Sequence, residues 1–391
     1  MKTFIKKIEN EFDIKMIKSD EVIDFENTYA IDKDGNITTL RLQEIPINSL
    51  DFLLPISDNL EDLFLQDCEI TSIKNISVFK QLKKLDLSIN PLSNFEGIEN
   101  LKNLQELNLS ATDVNSDSKF ENIQDLQNLW SLSLDYTQVK SIRGLEHAEN
   151  LRKLNLRNTK IKGFEDIEEL ENINHIDLSS CFDLDFNRLA LDRMKNLEKL
   201  NLSSCIVKSF EGLKKMTNLK QLLLHNASEI EKIKHLDYLE NLRVLDLSET
   251  EISKIEGLEG LISLTMLNLA SNKISEIEGI KNLKNLEYID LRNNKFSAIK
   301  EDNFTGIEKE CVVDIGFNDV TDYNIITRKN IKIVYNHEGA GLDLEPLSFA
   351  FGDIENIEKY CRELKKEYLN RIKEFGLCSS LSISDFNKRM I

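Results

Sequence analysis

Residues 242–263 read LRVLDLSETEISKIEGLEGLIS, and residues 264–285 read LTMLNLASNKISEIEGIKNLKN. Both stretches are 22 residues long and place apolar side chains at the same points. With the first leucine counted as position 0, positions 3, 5, 10, 13, 16 and 19 of the first stretch are Leu245, Leu247, Ile252, Ile255, Leu258 and Leu261. A fixed period in the range of about 20 to 50 residues indicates stacked turns of a solenoid.

The period extends through most of the chain. Position 0 falls at Leu60, Leu82, Leu104, Leu129, Leu151, Ile173, Leu197, Leu219, Leu242, Leu264 and Leu286. Apolar residues two apart, at positions 3 and 5, predict a short strand, and the later spacing of three predicts a tight 3₁₀ or helical return. We therefore expect an α/β solenoid with a curved parallel sheet on its concave side, returns on its convex side and helical caps.

Position 8 of the turns carries short side chains. They are Asn90, Asn272 and Asn294; Thr112, Thr137, Thr159 and Thr250; Cys68, Cys181 and Cys205; and Ala227. We predict that these residues satisfy backbone groups where the chain leaves each strand, with cysteine as a small core residue. An alternative for Cys181 is catalysis, because Cys181 and Asp183 form a CxD motif.

Three segments follow from these patterns. Residues 1–36 are a predicted N-terminal cap, with Phe4, Ile5, Ile8 and Phe12 at helical spacing. Residues 37–335 are the solenoid, and residues 336–391 are a predicted C-terminal cap. Within the last segment, residues 353–375 have the apolar stripe of an amphipathic helix, which serves either as a cap or as a docking element.

Charge and hydropathy exclude several partners. The formal net charge of -18 disfavours nucleic acid and anionic membranes. No stretch approaches the length of apolar residues that a membrane span needs, and the first residues lack the apolar run of a signal peptide. The sequence therefore predicts a cytoplasmic protein.

The units at residues 82–103, LKKLDLSINPLSNFEGIENLKN, and at residues 242–285 resemble the short 22-residue class of leucine-rich repeats. This class includes the leucine-rich regulatory subunit of protein phosphatase 1, the repeat domains of internalins and those of Roco proteins. The resemblance implies a protein-binding scaffold. The absence of a secretion signal argues against a surface adhesin, and the absence of a P-loop argues against a Roco GTPase module.

Apart from the CxD motif at Cys181, catalytic and cofactor motifs are not found in the sequence. The five histidines are scattered through different turns or lie beyond them, and no Cys/His cluster has the spacing of a metal site. We expect neither an enzyme, nor a cofactor, nor a metal.

The concave face is predicted to carry positions 2, 4 and 6, which are mostly polar. Position 4 carries a column of Asp and Asn, which is either a solvated face or a site for a basic peptide. Large apolar, aromatic and cationic exceptions have the composition of an interface centre. The candidate partner-binding residues are Phe64, Trp130, Tyr136, Arg157, Leu223, His225, Val244, Met266, Tyr288 and Arg292.

Four of these candidates, Leu223, Val244, Met266 and Tyr288, are predicted to form one exposed apolar patch, with His225 and Arg292 at its border. The function we expect is an intracellular scaffold that binds a protein, with a basic or apolar contact surface, on its concave face. The alternative is a regulatory subunit that directs or inhibits an enzyme such as a phosphatase or GTPase.

Overall fold

The computed structural model describes residues 2–334 and Lys366, apart from residues 20–25, 116–117, 119, 146–147, 165–171, 186–187, 191–192, 209, 231 and 324–327. The chain forms two compact units, unit 1 (Met1–Met194) and unit 2 (Lys195–Ile391). Each unit is a solenoid of short parallel strands connected by returns, as predicted from the 22-residue period.

Helix α1 (Lys2–Phe12) begins unit 1 and buries Ile5 and Ile8. The ring of Phe12 packs edge-on against Phe52 of the first turn, with ring centroids 5.3 Å apart. The apolar spacing in the sequence predicts this helix, and its contact with the first turn covers core that would otherwise face water.

Strands β1 (Ile17–Lys18), β2 (Thr28–Ile31) and β3 (Ile37–Gln43) follow α1. Strand β1 is parallel to β2, whereas β2 is antiparallel to β3. The β2–β3 loop contains Gly35, which has a φ of 87°. The predicted cap therefore contains a strand pair in addition to its helix.

The other strands of unit 1 are β4 (Asp62–Gln66), β5 (Lys84–Asp86), β6 (Glu106–Asn108), β7 (Ser131–Ser133), β8 (Lys153–Asn155) and β9 (His175–Asp177). Each pairs in parallel with the strand before it, so that Leu63 lies beside Leu85, and Leu85 beside Leu107.

Unit 2 contains β10 (Lys199–Asn201), β11 (Gln221–Leu223), β12 (Val244–Asp246), β13 (Met266–Asn268), β14 (Tyr288–Asp290), β16 (Cys311–Asp314) and β18 (Ile331–Val334). These strands pair in parallel in this order. A separate parallel pair joins β15 (Ala298–Ile299) to β17 (Asp322–Tyr323).

Short 3₁₀ segments form many of the returns, as the spacing of three predicts. Those described are Leu50–Ile56, Ile76–Val78, Ile98–Asn100, Phe120–Ile123, Glu211–Leu213 and Glu301–Phe304. Gly257 has a φ of 69°, and a Cβ atom there would lie 2.2 Å from the backbone oxygen of Ile233. This return therefore requires glycine for both its backbone conformation and its close packing.

The core lies between strands and returns, and position 8 connects adjacent turns within it. Oδ1 of Asn90 accepts hydrogen bonds from the backbone N–H of Cys68 (3.0 Å) and of Ile70 (2.9 Å). Nδ2 of Asn90 donates to the backbone oxygens of Leu65 (2.7 Å) and Leu87 (2.9 Å). One amide thus satisfies backbone groups of two consecutive turns, and the predicted role of position 8 is confirmed.

The predicted amphipathic stretch, residues 353–375, lies outside the described residues except for Lys366. The proposed segment boundaries therefore stay predictions. None of the helices in the described part of the chain has the length and apolar character needed to cross a membrane.

Candidate protein-binding surface

The concave face of each unit is the side of its sheet that carries positions 2, 4 and 6. In unit 1, Tyr136 follows β7 at the margin of this face and is 49% exposed. Its ring centroid lies 5.5 Å from Cζ of Arg157, and its backbone N–H donates to the oxygen of Arg157 (2.9 Å). The structure therefore brings these two candidates together as a cation–π pair.

Tyr136 has a φ of 57°, which belongs to the left-handed region. Position 7 adopts this conformation in turn after turn: Asp67, Ile89, Ala111, Tyr136, Asn158, Ser180, Ser204, Asn226, Glu249, Ser271 and Asn293 all have positive φ. Asn and Ser are suited to it, but bulky side chains are not, and β-branched ones least of all. Tyr136 therefore adopts a backbone conformation that is unfavourable for tyrosine.

Sequence reasoning missed two further residues of this kind. Ile89 in unit 1 has a φ of 56° and is 46% exposed, and Phe317 in unit 2 has a φ of 55° and is 54% exposed. Their signal was present, because a large apolar side chain at position 7 stands out among Asn, Ser and Asp. Only Tyr136 was selected from this position.

Trp130 is 40% exposed and lies just before β7, at the opposite end of the strand from Tyr136. Its backbone N–H donates to the oxygen of Gln105 in the preceding turn (3.0 Å). The prediction that Trp130 and Tyr136 flank one strand is confirmed. They occupy opposite margins of the concave face, so they form two separate contact points.

Phe64 lies in β4, opposite Arg41 of β3 in the strand register. Cζ of Arg41 lies 4.4 Å from the centroid of the Phe64 ring. Phe64 is half-buried, so the guanidinium covers part of the ring that the sequence predicts as exposed. Arg41 was not among the candidates, because it precedes Leu60, where the regular 22-residue register begins.

Position 4 has a structural role in both units. Its side-chain oxygen accepts a hydrogen bond from the backbone N–H two residues later, as in Asn155 to Arg157 (3.1 Å) and Asp290 to Arg292 (3.0 Å). This is the local turn that Asx side chains favour. Among the described residues no group of three or more metal-binding side chains occurs.

The expectation of an exposed apolar patch in unit 2 is wrong. Leu223 and Val244 are each 1% exposed, and Met266 and Tyr288 are each 3% exposed. Strand alternation places these side chains on the concave face, and the register puts Val244, Met266 and Tyr288 side by side. Alternation determines the side of a sheet that a residue faces, but it carries no information on whether that side is open to water.

The position-4 carboxylates of unit 2 are buried as well, so a solvated column is wrong for this unit. Asp246 is fully buried, and Asp290 and Asp314 are 2% and 3% exposed. Burial raises the pKa of Asp246, an effect partly offset by hydrogen bonds from Ser248 and by the charge of His225. Oδ2 of Asp246 has no hydrogen-bond partner among the described residues.

His225, Ser248 and Asp246 form a hydrogen-bonded chain. Nδ1 of His225 lies 2.9 Å from Oγ of Ser248, and that hydroxyl donates to Oδ1 of Asp246 (2.6 Å). The serine hydroxyl lies between the two ionisable groups, whereas a nucleophilic triad needs the histidine between serine and carboxylate. This chain therefore lacks the order of a catalytic triad.

Arg292 is half-buried at the border of the same region. Its Nε and Nη2 donate to Asp290 at 3.0 and 2.6 Å, and Nε lies 3.6 Å from Oδ2 of Asp314. Burial alone would lower the pKa of Arg292, but the hydrogen bonds and charge of Asp290 outweigh it and raise this pKa. A cavity of about 420 Å³ lies here, lined by residues that include His225, Arg292 and Phe317.

Cys181 is completely buried, and its thiol donates to the backbone oxygen of Leu156 (3.1 Å). Burial raises the pKa of this thiol, which disfavours the thiolate that a nucleophile requires. Cys68 and Cys205 are buried in the same way at position 8. Their predicted role as core residues is confirmed, and the geometry disfavours catalysis by Cys181.

Comparison with known proteins agrees with this fold. The family of Leucine Rich repeats (2 copies) matches residues 240–282 and 262–305. Residues 240–305 therefore carry leucine-rich repeats. No curated relative matches the sequence of the chain.

Two solved structures are similar to this chain. An internalin of Listeria monocytogenes has a TM-score of 0.60 at 21% identity, covering 77% of this chain and 87% of that chain. A leucine-rich-repeat protein of Leptospira interrogans has a TM-score of 0.55 at 22% identity, covering 71% of this chain and 74% of that chain. At these identities the likeness shows the fold alone, and this fold is generally a scaffold for protein–protein interaction.

Proposed function

We propose that this protein is an interaction scaffold that binds a protein partner through the concave face of unit 1 and its margins. The observation that carries the proposal is Tyr136, a half-exposed aromatic ring in a left-handed backbone conformation, stacked on Arg157. Exposed Tyr, Trp and Arg are the residue types that most often supply the binding energy of protein interfaces.

The backbone conformation of Tyr136 supports a role in binding. Most turns place Ser, Asn, Asp or Ala at position 7, which tolerate a positive φ better than tyrosine does. Backbone strain of this kind costs on the order of 1 kcal/mol and concentrates at functional sites. The ring is also held by Arg157, so less side-chain freedom is lost when a partner binds.

Neighbouring side chains extend the surface along the margin. Ile89, Ala111 and Tyr136 occupy position 7 of three consecutive turns and are all exposed. In the adjacent strands β5 and β6, Lys84 forms an ion pair with Glu106 (2.9 Å). A partner that presents an apolar segment fits this margin better than a strongly charged one.

The test compares Tyr136→Ser with Tyr238→Ser. Serine occupies position 7 in other turns, so the first variant keeps the local fold, and Tyr238 is an equally exposed tyrosine (51%) on a return. A partner identified with the wild-type chain from an extract of the source cells is titrated against both variants. We expect Tyr136→Ser to weaken binding by about 30-fold, equivalent to about 2 kcal/mol, and Tyr238→Ser to leave it unchanged.

Trp130→Ala is measured in the same titration, because it tests the opposite margin of the face. If only Tyr136→Ser loses affinity, the interface is confined to the position-7 margin. If Tyr136→Ser and Trp130→Ala each lose affinity, the interface extends across β7. Equal affinities for wild type, Tyr136→Ser and Trp130→Ala would refute the proposal.

A further inference from the structure

Positions 2 and 4 of β11, β12, β13, β14 and β16 are buried on the concave face of unit 2, although these strands have the same arrangement as those of unit 1. At position 2, Val244, Met266, Tyr288 and Val312 are all at most 3% exposed. The same position in unit 1 carries half-buried side chains, among them Lys84 and Ser131. Side chains on this face stand roughly perpendicular to the sheet, so they are buried only when other atoms lie over the face.

Neighbouring turns do not provide these atoms. The inward side chains of unit 2, such as Leu245 and Leu267, face the returns and form the core. Positions 2 and 4 alternate with them and therefore face away from the returns. Whatever covers positions 2 and 4 must come from outside the described turns.

The chemistry of the face defines its occupant. The apolar row Val244, Met266, Tyr288 and Val312 runs beside the buried carboxylates Asp246, Asp290 and Asp314, for which Arg292 is the nearby cation. Oδ2 of Asp246, Oε1 of Gln221 and Oγ of Ser203 are buried and lack hydrogen-bond partners among the described residues. An occupant with an apolar stripe bordered by cationic side chains matches this surface.

One stretch of the chain itself has this composition. In helical projection, the apolar stripe of residues 353–375 is Ile354, Ile357, Cys361, Leu364, Tyr368, Ile372 and Phe375. Lys365 and Arg371 flank the stripe on its two sides, whereas Lys359 and Lys366 lie opposite. Residues 359–373 contain six Lys or Arg and two Glu, and Lys366 is exposed.

The chain can also reach the face. Strand β18 ends at Val334 and pairs with β16, whose concave side is part of the covered surface. Residues 335–352 separate it from the amphipathic stretch. An extended linker of this length spans up to roughly 60 Å, whereas the strands from β10 to β18 extend over about 30 Å at the usual strand spacing.

We propose that residues 353–375 bind the concave face of unit 2 in the same molecule, with the apolar stripe on the Val244–Met266–Tyr288–Val312 row. Lys365 and Arg371, which flank the stripe, then place positive charge along the two borders of this row, one of which is the acidic column. The proposed contact is intramolecular. It goes beyond the function proposed for unit 1 and does not depend on it.

Methionine oxidation in the full-length chain tests the contact. Met266 lies in the covered row and Met216 lies in a return, and both are buried at 3% and 2% exposure. Oxidation by hydrogen peroxide is followed by mass spectrometry in Lys365→Glu/Arg371→Glu and in the matched control Lys359→Glu/Lys366→Glu. Both variants change the net charge equally, but only the first places carboxylates beside the stripe.

We expect Met266 to oxidise at least about tenfold faster in Lys365→Glu/Arg371→Glu than in wild type, while Met216 stays protected because the core is intact. In the control, both methionines should stay protected. Equal Met266 rates in the two variants, whether slow or fast, would overturn the proposal.

Zero-length cross-linking of the wild-type chain gives a second measurement that requires no variant. We expect cross-links from Lys365 to carboxylates at the margins of the face, such as Glu249 and Glu287. A mixture of ¹⁴N- and ¹⁵N-labelled chains separates contacts within one chain from contacts between two. Cross-links found only between chains assign the face to a second copy, and their absence from these margins leaves the segment elsewhere; either result overturns the proposal.

Discussion

Replacement of Asn272 by alanine tests the connection between turns. Asn272 is buried at position 8, and its Nδ2 donates to the backbone oxygens of Leu247 (2.8 Å) and Leu269 (3.0 Å). Its Oδ1 accepts from the backbone N–H of Ile252 (2.9 Å). Alanine would leave the N–H of Ile252 buried without its partner. The two carbonyls would each lose one hydrogen bond but keep another, because Thr250 Oγ1 also donates to Leu247 (2.7 Å) and Asn294 Nδ2 to Leu269 (2.9 Å).

The magnitude follows from these three bonds. The unpaired N–H of Ile252 costs about 1 to 3 kcal/mol, and the lost bonds to carbonyls that keep another donor cost less, so Asn272→Ala should lower the free energy of unfolding by about 3 kcal/mol. Asn272→Thr should cost less, about 2 kcal/mol, because threonine can retain one bond. Thr250 shows the geometry, since its Oγ1 donates to the oxygen of Leu247 at 2.7 Å.

Urea unfolding followed by far-ultraviolet circular dichroism measures these differences. Asn285→Ala is the matched control, because Asn285 is exposed and its Nδ2 donates to the oxygen of Ile262 (2.8 Å). The control should cost less than about 1 kcal/mol, since water replaces its partner. If Asn272→Ala is no more destabilising than Asn285→Ala, the inference that position 8 stabilises adjacent turns is incorrect.

Two further predictions concern buried ionisable groups. Burial raises the pKa of Cys68 to about 12, so alkylation by iodoacetamide at pH 8 should be on the order of 1,000-fold slower in the native chain than in urea; equal rates would contradict the assigned environment. Burial also raises the pKa of Asp246, so its contribution to stability is present at low pH and is lost as the pH rises through the raised folded value. Asp246→Asn should therefore unfold at higher urea concentration than wild type, by a margin that grows with pH above the usual aspartate range and then levels off; a margin independent of pH would show that this carboxylate is not perturbed.

The period of the leucines was sufficient to predict the sheet, the returns and the role of position 8. Each inward position is occupied by an apolar residue in nearly every turn, so one register error would expose a whole column of them. The β2–β3 pair was missed although its signal is present. Asp34 and Gly35 form an Asp-Gly pair between two runs rich in β-branched residues, which is a typical hairpin sequence.

The candidate surface was predicted less completely, for a physical reason. The alternation that identified Met266 and Tyr288 is set by the strand itself, whereas their burial depends on what lies over the sheet. The left-handed backbone of Tyr136 was also not foreseen, since glycine is the usual signal for a positive φ and the turns carry none at this position. The burial depends on tertiary context, whereas the positive φ recurs at position 7 of the repeat without a residue type that signals it.

Ionic strength distinguishes the two proposed contacts, because the surfaces differ in the charged groups that they carry. In unit 1 the proposed anchors are aromatic, and Lys84 of an adjacent strand is paired with Glu106. In unit 2 the covered face has three buried carboxylates, for which Arg292 is the nearby cation. A contact made by apolar groups changes little with salt, whereas one that seats cations beside carboxylates weakens as salt screens their attraction. Raising salt should therefore speed oxidation of Met266 in the wild-type chain without altering the effect of Tyr136→Ser on partner affinity, and a parallel response of both would mean that the two surfaces are not chemically distinct.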